Sequence, residues 1–442
     1  MQLIIKNEKN SHKVLNCKTF YFVLLLTVFL ILRDIFNIAI PKTFFIAFCI
    51  LPALVYSTED MLSCLFFQLP LFCGLPGNYI VLAYFVILLV KQRTITRSKI
   101  FAISFCTLWE FVASIFYPRF DLVETVSYII FVSLFFILIN DEHWEINKRK
   151  CVYFYAIGIV VTSIIIVIST LQHAPSNWLS LFASGSYRFG NKIASESGRL
   201  SVKLNPNALS FYAITAIALT LALLENERSV AHRIFMWICT VFLLFTGLLT
   251  ASRTFILVLF VLILLYGIRG KKISKKIQTI LTTFIFVFVA FVIIDKYFPG
   301  ILQAFVGRFE GSDFSSGNGR LEISQKYMET FYHSIRIMLI GAGAMQNTEV
   351  MGMSYSLHNS ILQILVSYGI IGTTIFLLMW FMPIIKRFKR KIPFSFWIPM
   401  IVVLLYSLSA QMVNPPTLLF PHLLAAYCLD LSETSNSGVL NE

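Results

Sequence analysis

The sequence contains repeated apolar runs on the scale of a lipid bilayer. Examples are Cys151–Thr170 and Ile277–Ile294, and similar runs recur along most of the chain. A hydrocarbon layer about 30 Å thick requires about 20 mostly apolar residues of a spanning helix. A helix also satisfies its own backbone hydrogen bonds where no water can do so. The runs therefore predict an all-α, polytopic integral membrane protein.

The composition excludes an ordinary soluble domain, because only 13% of the residues are charged and a soluble protein carries about 25%. The formal net charge of +14 is a feature of many nucleic-acid-binding proteins. Here, however, the lysines and arginines gather in short loops between apolar runs, as the positive-inside rule describes. The charge is therefore a topology signal. The lipid bilayer is the expected partner, and nucleic acid is not.

The basic loops define a topology when they are placed in the cytoplasm. They are Lys91–Lys99, Asp141–Lys150, Glu225–Arg233, Arg269–Lys276 and Lys386–Lys391. Two crossings fit between neighbouring loops. The apolar segments before Lys91 are short, which leaves open four tilted helices or two helices with re-entrant pieces around Gly74–Gly77. The prediction is a single membrane domain, residues 1–442, with about 12–14 transmembrane helices.

Two outward-facing connections are longer than the others. Residues 172–205 are rich in Ser, Gly and Asn and carry several cations. Residues 295–357 are too many for a simple connector, because unstructured loops of that length are uncommon. We expect the first to be a periplasmic loop. We expect the second to be a large periplasmic loop with short helices of its own, one of them around Arg320–Tyr332.

Arginines on the outer side need an explanation, because that side should be poor in cations. They are Arg188, Arg199, Arg253, Arg308, Arg320 and Arg336. Arg253 is the most informative, since it stands almost at the start of the apolar run in LLTASRTFILVLF. A guanidinium at the bilayer edge is costly and indicates a functional site, and its planar fork matches phosphate. The alternative is an arginine that reaches lipid headgroups.

A polar cluster, His358–Asn359–Ser360, precedes an apolar run that extends to Leu378 and contains Gly369 and Gly372. Histidine changes charge near neutral pH, so its position at a membrane boundary indicates proton transfer. An interfacial histidine that caps a helix is the alternative. A second helix start is predicted at Asn205–Pro206–Asn207, where Asn is the cap and Pro takes the first helical position.

No metal or cofactor is expected. The chain has no HExxH, DxD or CxxC motif, and Glu310 and Asp313 are expected to be solvated loop acids. Gly341–Ala342–Gly343 lacks the spacing of a nucleotide-binding loop and is expected to be a tight turn. An enzyme that releases an anionic leaving group without a metal must stabilise it with side-chain cations, so the arginines gain importance.

Four stretches, taken together, resemble the bacterial O-antigen polymerase/ligase superfamily in order and spacing. They are RLSVKLNPNALSFYA, GLLTASRTFILVLFVLILL, NGRLEISQKYMETFYHSIRIMLIGAGAMQN and SLHNSILQILVSYGIIGTTIFLLM. The resemblance covers roughly Arg188 to Leu378, and the N-terminal third is similar only in hydrophobicity. It implies a GT-C-like fold and a metal-independent transferase in the bacterial inner membrane, whose active site faces the periplasm. The implied donor is an undecaprenyl-diphosphate-linked oligosaccharide.

The resemblance also implies roles for individual residues. Arg253 matches the Ser–Arg position and Arg320 the Gly–Arg position, both implied to contact the diphosphate. His358 matches the His–Asn position, implied to activate the acceptor hydroxyl. Arg199, just before the Asn–Pro–Asn motif, is a further candidate for diphosphate contact. Candidates for glycan or diphosphate contact are Arg188, Arg308 and Asn359, of which Arg308 matches a polymerase arginine loop only loosely.

Several functions stay open at this point. The preferred one is an O-antigen polymerase, which joins undecaprenyl-diphosphate-linked repeat units and has a chain-length regulator protein as a candidate partner. The alternative within the superfamily is an O-antigen ligase, which transfers the glycan to lipid A–core. A lipid-linked oligosaccharide flippase would need charges deep within spans, but the long spans are almost free of them and Glu110 is the main exception. A peptidoglycan-type glycan polymerase would need a loop acid in a suitable setting, which the sequence does not show.

Overall fold

The computed structural model describes residues 17–92, 96–140, 146–183, 187–190, 201–269, 320–411 and 415–431, with the single residues 277, 292 and 296. Every regular element in these ranges is helical. Within them, five helices are long and apolar enough to cross a membrane, and four further apolar helices are shorter. The predicted all-α, polytopic membrane fold is confirmed, and the total number of spans stays a prediction.

The first described region contains four helical segments. They are α1 (Cys17–Asp34), α2 (Lys42–Val55), α3 (Thr58–Gln68) continued by a 3₁₀ turn (Leu69–Cys73), and α4 (Gly77–Lys91). Lys91 Nζ donates to the carbonyl of Tyr56 at 2.6 Å, and Lys42 Nζ lies 5.1 Å from the centre of the Tyr79 ring. Helices α2 and α4 are therefore parallel neighbours, with their starts at one level and their ends at another.

Helix α1 and the α3 segment run in the opposite direction to α2 and α4. Thr19 donates to Asp60 near their starts, and the Arg33 guanidinium donates to the carbonyl of Gly74 at their ends. The α3 segment thus covers the same depth as α1. This geometry favours the four-helix interpretation of the region over a re-entrant pair.

The middle of the chain forms the centre of the bundle. Its helices are α5 (Arg97–Ser114), α6 (Leu122–Ile139), α7 (Lys148–Gln172), α8 (Trp178–Ala183), α9 (Pro206–Glu225), α10 (Val230–Leu249) and α11 (Arg253–Ile268). About four-fifths of the apolar windows of α6, α7 and α9 are buried, against 33% for α10. We infer that α10 presents most of its apolar surface to lipid, because lipid is the medium that accepts such a face.

The last described regions contain short helices followed by long ones. They are α12 (Arg320–His333), α13 (Ile335–Ile340), α14 (Asn347–Val350), α15 (Ser360–Phe388), a 3₁₀ turn (Phe394–Phe396), α16 (Ile398–Ser407), a 3₁₀ turn (Pro416–Leu419) and α17 (Phe420–Asp430). The first three lie in the segment expected to be the large periplasmic loop. Arg320 is the first residue of α12.

Helix α15 is interrupted at Gly369, whose φ of 63° and ψ of −175° are not helical. This positive φ favours glycine. The interruption leaves backbone carbonyls of α15 without N–H partners in the helix. Backbone N–H groups from the chain after α13 donate to these carbonyls. Ala342 N–H donates to the Val366 carbonyl at 2.8 Å, and Gly343 N–H donates to that of Ser367 at 2.9 Å. The tight turn predicted at residues 341–343 is therefore the segment that docks against the break.

One end of the bundle is held by ion pairs, and we call it the ion-paired end. Arg387 Nε lies 2.8 Å from Asp430 Oδ1, and Lys148 Nζ lies 2.7 Å from Asp430 Oδ2. Arg149 pairs with Glu227 at 2.9 Å. Most of these residues belong to the loops predicted to be cytoplasmic. Helix α9 has 20 residues, so its far terminus lies about 30 Å away.

Candidate active site

Three described arginines lie at the other end of the bundle, which we call the arginine end after Arg188, Arg253 and Arg320. Helix α11 begins at Arg253 because Ser252 caps it, its hydroxyl accepting from the Phe255 N–H. The Arg253 side chain is half-buried in the first turn. Arg253 is therefore the first residue of an apolar helix, which agrees with its predicted place at the start of an apolar run.

Arg188 connects two of the surrounding helices. Its Nε donates to the carbonyl of Thr250 at 2.8 Å, at the end of α10. Its Nη2 donates to Asn207 Oδ1 at 3.1 Å, in the first turn of α9. These contacts fix the guanidinium beside the Asn–Pro–Asn motif. Arg188 thus joins the starting point of α9 to the turn that leads to Arg253.

Arg320 approaches the same place from α12. Its Nη1 donates to the carbonyl of Ser409 at 3.3 Å, and Ser409 Oγ donates in turn to Thr254 Oγ1 at 3.0 Å. Burial lowers the pKa of Arg320, and the positive charge of Arg253 lowers it further. Two guanidiniums that repel each other in this way are stabilised together by a bound anion with several oxygens.

Tyr406 and Ser409, which no sequence motif indicated, connect the helices at the arginine end. The Tyr406 hydroxyl donates to the Asn207 carbonyl at 3.1 Å and lies 3.4 Å from Ser252 Oγ. It therefore joins the C-terminal end of α16 to the starts of α9 and α11. The only sequence signal was the group of hydroxyl residues in YSLS at the end of an apolar run.

His358 lies immediately before α15. Asn359 caps that helix, its Oδ1 accepting from the N–H groups of Ile361 and Leu362 at 3.0 and 3.1 Å. Ser360 Oγ donates to the carbonyl of Ala410 at 2.6 Å, which fastens the helix start to the chain after α16. The half-buried imidazole thus stands directly before a helix start that is held by the cap and by the bond to Ala410.

The protonation of His358 follows from its surroundings. Burial lowers the pKa of His358, and the neighbouring Arg320 guanidinium lowers it further. A pKa below the ordinary value keeps the imidazole neutral at pH 7, so that one ring nitrogen can accept a proton. Arg320 therefore belongs to the group of arginines at this end and also lies close enough to His358 to influence its protonation.

A cavity of about 590 Å³ opens beside these residues. His358, Ser409, Asn207 and Lys203 are among the residues that line it. Its volume is within the range of about 300–1,000 Å³ that is usual for ligand sites. Ser409, whose carbonyl accepts from Arg320, therefore also forms part of the cavity wall. The His358 imidazole lines the same cavity.

A buried ion pair fixes the cavity segment that contains Lys203. Arg33 Nε lies 2.7 Å from Asp34 Oδ1, and both side chains are buried. Asp34 Oδ2 accepts from the Val202 N–H at 3.3 Å, and Arg33 also donates to the Gly74 carbonyl. The pair thus attaches residues 201–205 to the first helices. Sequence reasoning missed it because adjacent charges at a helix end usually face water.

The structure brings together four of the predicted site residues, Arg188, Arg253, Arg320 and His358. The amide oxygen of Asn359 is occupied by its capping role. Arg199, Arg308, Glu310 and Asp313 lie outside the described residues. Arg336 lies elsewhere, its guanidinium carbon 4.0 Å from the centre of the Phe116 ring.

Two further expectations concern local structure. Asn205 caps α9 as predicted, since its Oδ1 accepts from the N–H groups of Asn207 and Ala208 at 2.7 and 3.1 Å, with Pro206 as the first helical residue. Among the described residues, no three His, Cys, Asp or Glu side chains form a group that could hold a metal ion.

Comparison with known families places this site in context. Residues 238–377 match the family model of the O-antigen ligases. The match confirms the predicted resemblance to the O-antigen polymerase/ligase superfamily. It covers less than half of the chain and includes Arg253, Arg320 and His358. Searches of curated proteins and of solved structures gave no significant match.

Proposed function

We propose that this protein is a metal-independent glycosyltransferase that uses a glycan carried on undecaprenyl diphosphate. The observation that carries the proposal is the convergence of Arg188, Arg253 and Arg320 beside a cavity that His358 lines. Cations match the diphosphate, the neutral imidazole matches a hydroxyl that must lose a proton, and the cavity gives room for sugars. The family match to O-antigen ligases supports the same reaction class.

Each group has a defined part in the proposed reaction. The arginines bind the donor diphosphate, and His358 accepts the proton of the acceptor hydroxyl. The hydroxyl oxygen forms a bond with the anomeric carbon while the bond from that carbon to the diphosphate oxygen breaks. Undecaprenyl diphosphate leaves with the bonding electron pair. Arginines that are already in position stabilise the charge that develops on it.

The proposed orientation places the arginine end at the periplasmic face of the inner membrane. Support comes from the loops at the ion-paired end, which carry most of the short-loop lysines and arginines, as cytoplasmic loops do. The apolar polyprenyl tail would then stay in the bilayer. The sugars and the diphosphate would meet the protein where α9, α11 and α15 begin.

Within the superfamily we favour the polymerase, in which donor and acceptor are both undecaprenyl-diphosphate-linked repeat units. The preference rests on the resemblance of the Asn–Pro–Asn and His–Asn–Ser motifs to that branch. The ligase is the second candidate, because the matching family is described by that activity. Both reactions need a cationic diphosphate site and a proton acceptor, so the acceptor is the property to measure.

The deciding experiment is reconstitution of the purified protein in liposomes with undecaprenyl-diphosphate repeat units, with and without lipid A–core. Chain growth without lipid A–core supports the polymerase, and transfer that requires lipid A–core supports the ligase. Translocation without any new glycosidic bond overturns the proposal. A chelator should leave the rate unchanged, and loss of the activity would overturn metal independence.

The same assay tests the role of His358. His358→Ala should lower the rate by about 10²–10⁴-fold, the usual contribution of a general base. His333→Ala is the matched control, because the His333 side chain is exposed on α12, where its ring nitrogen bonds to the carbonyl of Glu329. A full rate in the His358 variant would remove the imidazole from the mechanism.

A further inference from the structure

The cavity has a second wall, formed by the starts of three helices from the N-terminal third of the chain. Lys42 begins α2, Asn78 and Tyr79 belong to the first turn of α4, and Glu124 belongs to the first turn of α6. All four line the same cavity as His358. We call them the N-terminal wall. They lie outside residues 238–377, the segment that matches the family.

The residue types of the N-terminal wall match those that bind sugars. The Tyr79 side chain is 46% exposed, and an aromatic ring offers an apolar face together with a polar edge. Asn78 has amide donors and an acceptor, and the Glu124 carboxylate accepts hydrogen bonds from hydroxyls. A hydroxyl-rich ring needs this combination, since it has apolar C–H faces and a polar rim.

The charges of the N-terminal wall balance. Lys42 Nζ lies over the Tyr79 ring, and neither Lys42 nor Glu124 forms an ion pair within the ranges that the structure describes. One ammonium and one carboxylate therefore face the cavity together. The wall itself therefore has no net charge to attract an acidic sugar, and the other lysine that lines the cavity, Lys203, belongs to the segment before α9. The wall contrasts with the arginine end, where cations are grouped.

The position of His358 separates the two substrates. A donor glycan is held at the arginine end by its diphosphate, so the acceptor hydroxyl must reach the imidazole from the rest of the cavity. The N-terminal wall bounds that remaining space. We propose that it binds a neutral, hydroxyl-rich sugar ring of the acceptor glycan and determines which acceptor is used. This inference rests on the proposed transferase function and names the substrate class of one half of its cavity.

The test uses Tyr79→Ala and Glu124→Gln in reconstituted full-length protein, with acceptor titrated at saturating donor. The KM for the acceptor should rise about tenfold in each, the size of one lost favourable contact, while the KM for the donor stays unchanged. Tyr332→Ala and Glu329→Gln are the controls, because these exposed side chains of α12 do not line the cavity. Equal thermal stability of all four proteins shows that they are folded.

A second measurement identifies the group that Glu124 contacts. A set of acceptors, each lacking one hydroxyl, is compared in wild-type protein and in Glu124→Ala, which removes the accepting oxygens. For one acceptor the loss in wild-type protein should disappear in the variant, because two changes that remove the same contact do not add. Additive losses for every acceptor would overturn a direct contact with Glu124.

The remaining outcomes separate this inference from the proposed function. If wild-type protein forms no glycosidic bond, both proposals are overturned. If it transfers normally and the wall variants keep the wild-type KM for the acceptor, only the N-terminal wall is overturned as the acceptor site. If transfer requires an acidic acceptor sugar and is lost in Lys42→Gln, the neutral-sugar assignment is wrong.

Discussion

The cations that define the ion-paired end and two of the arginines that define the arginine end make different contacts. At the ion-paired end, Arg387 and Lys148 share the carboxylate of Asp430. At the arginine end, Arg320 donates to a backbone carbonyl, and the contacts of Arg188 include a carbonyl and an amide oxygen. Asp430 neutralises the cations that it contacts, whereas the Ser409 carbonyl orients Arg320 and leaves its charge. The first arrangement joins helices, and the second suits an anionic ligand.

The largest effect on stability should come from breaking the central ion pair. Asp430→Ala leaves Arg387 without its carboxylate in a buried setting, and loss of one partner of such a pair costs about 3–5 kcal/mol. The free energy of unfolding in detergent measures this cost, while the activity per folded molecule should stay unchanged. Glu322→Ala removes the exposed pair with Lys326 and should cost less than about 0.5 kcal/mol. Similar losses in both variants would contradict the comparison.

The opposite result is expected at the arginine end. Arg320→Ala should lower the transfer rate by about 10²–10³-fold, because it removes charge stabilisation from the leaving group, and should barely change stability. Arg320→Lys should recover only part of the rate, since an ammonium lacks the planar fork. Arg233→Ala, an exposed cation near the ion-paired end, is the control. A loss of stability without a loss of rate would assign Arg320 to structure.

The pH dependence should connect Arg320 to His358. Because the pKa of His358 lies below its ordinary value of 6.5, the transfer rate should be level at pH 7 and fall only as the pH drops through the lowered pKa. Protonation removes the lone pair that accepts the hydroxyl proton. Arg320→Gln removes a neighbouring positive charge, so the midpoint should move upward. Arg336→Gln should leave the midpoint unchanged, and an equal shift in both would remove Arg320 as the cause.

The smallest expected effect concerns the support of the imidazole. Asn359→Ala removes the cap of α15, and loss of such a cap costs about 1 kcal/mol of stability. The rate should fall modestly, because the helix start that carries His358 becomes less ordered. Asn359→Asp or Asn359→Ser keeps a capping oxygen and should restore both properties. A rate loss as large as that of His358→Ala would instead indicate direct contact with substrate.

The residues that the sequence predicted are those that contrast with their surroundings. Arg253 interrupts an apolar run, and His358 belongs to a polar cluster at the edge of another. Tyr406 and Tyr79 gave no such contrast, since the chain has 18 Tyr and 43 Phe residues. The contact of Tyr406 with Asn207 spans 199 positions, so only the packing of distant helices creates it.

Gly369 illustrates the same limit in backbone terms. A glycine within an apolar run is compatible with an unbroken helix, and its positive φ depends on the chain that docks beside it. The amides of Ala342 and Gly343 come from a segment more than twenty positions earlier. The local sequence drew attention to residues 341–343 and to Gly369, but nothing in it predicted that these two segments are hydrogen-bonded to each other.

The break at Gly369 divides α15 into two portions, and each portion is attached to a different region of the molecule. The portion after Gly369 is mostly apolar and ends at Phe388, next to the Arg387 side chain that pairs with Asp430. The portion before Gly369 takes its height from residues 341–343, to which it is hydrogen-bonded. The height of the His358 imidazole is therefore set by hydrogen bonds to the loop, at a point separate from the ion pair that holds the other end of α15.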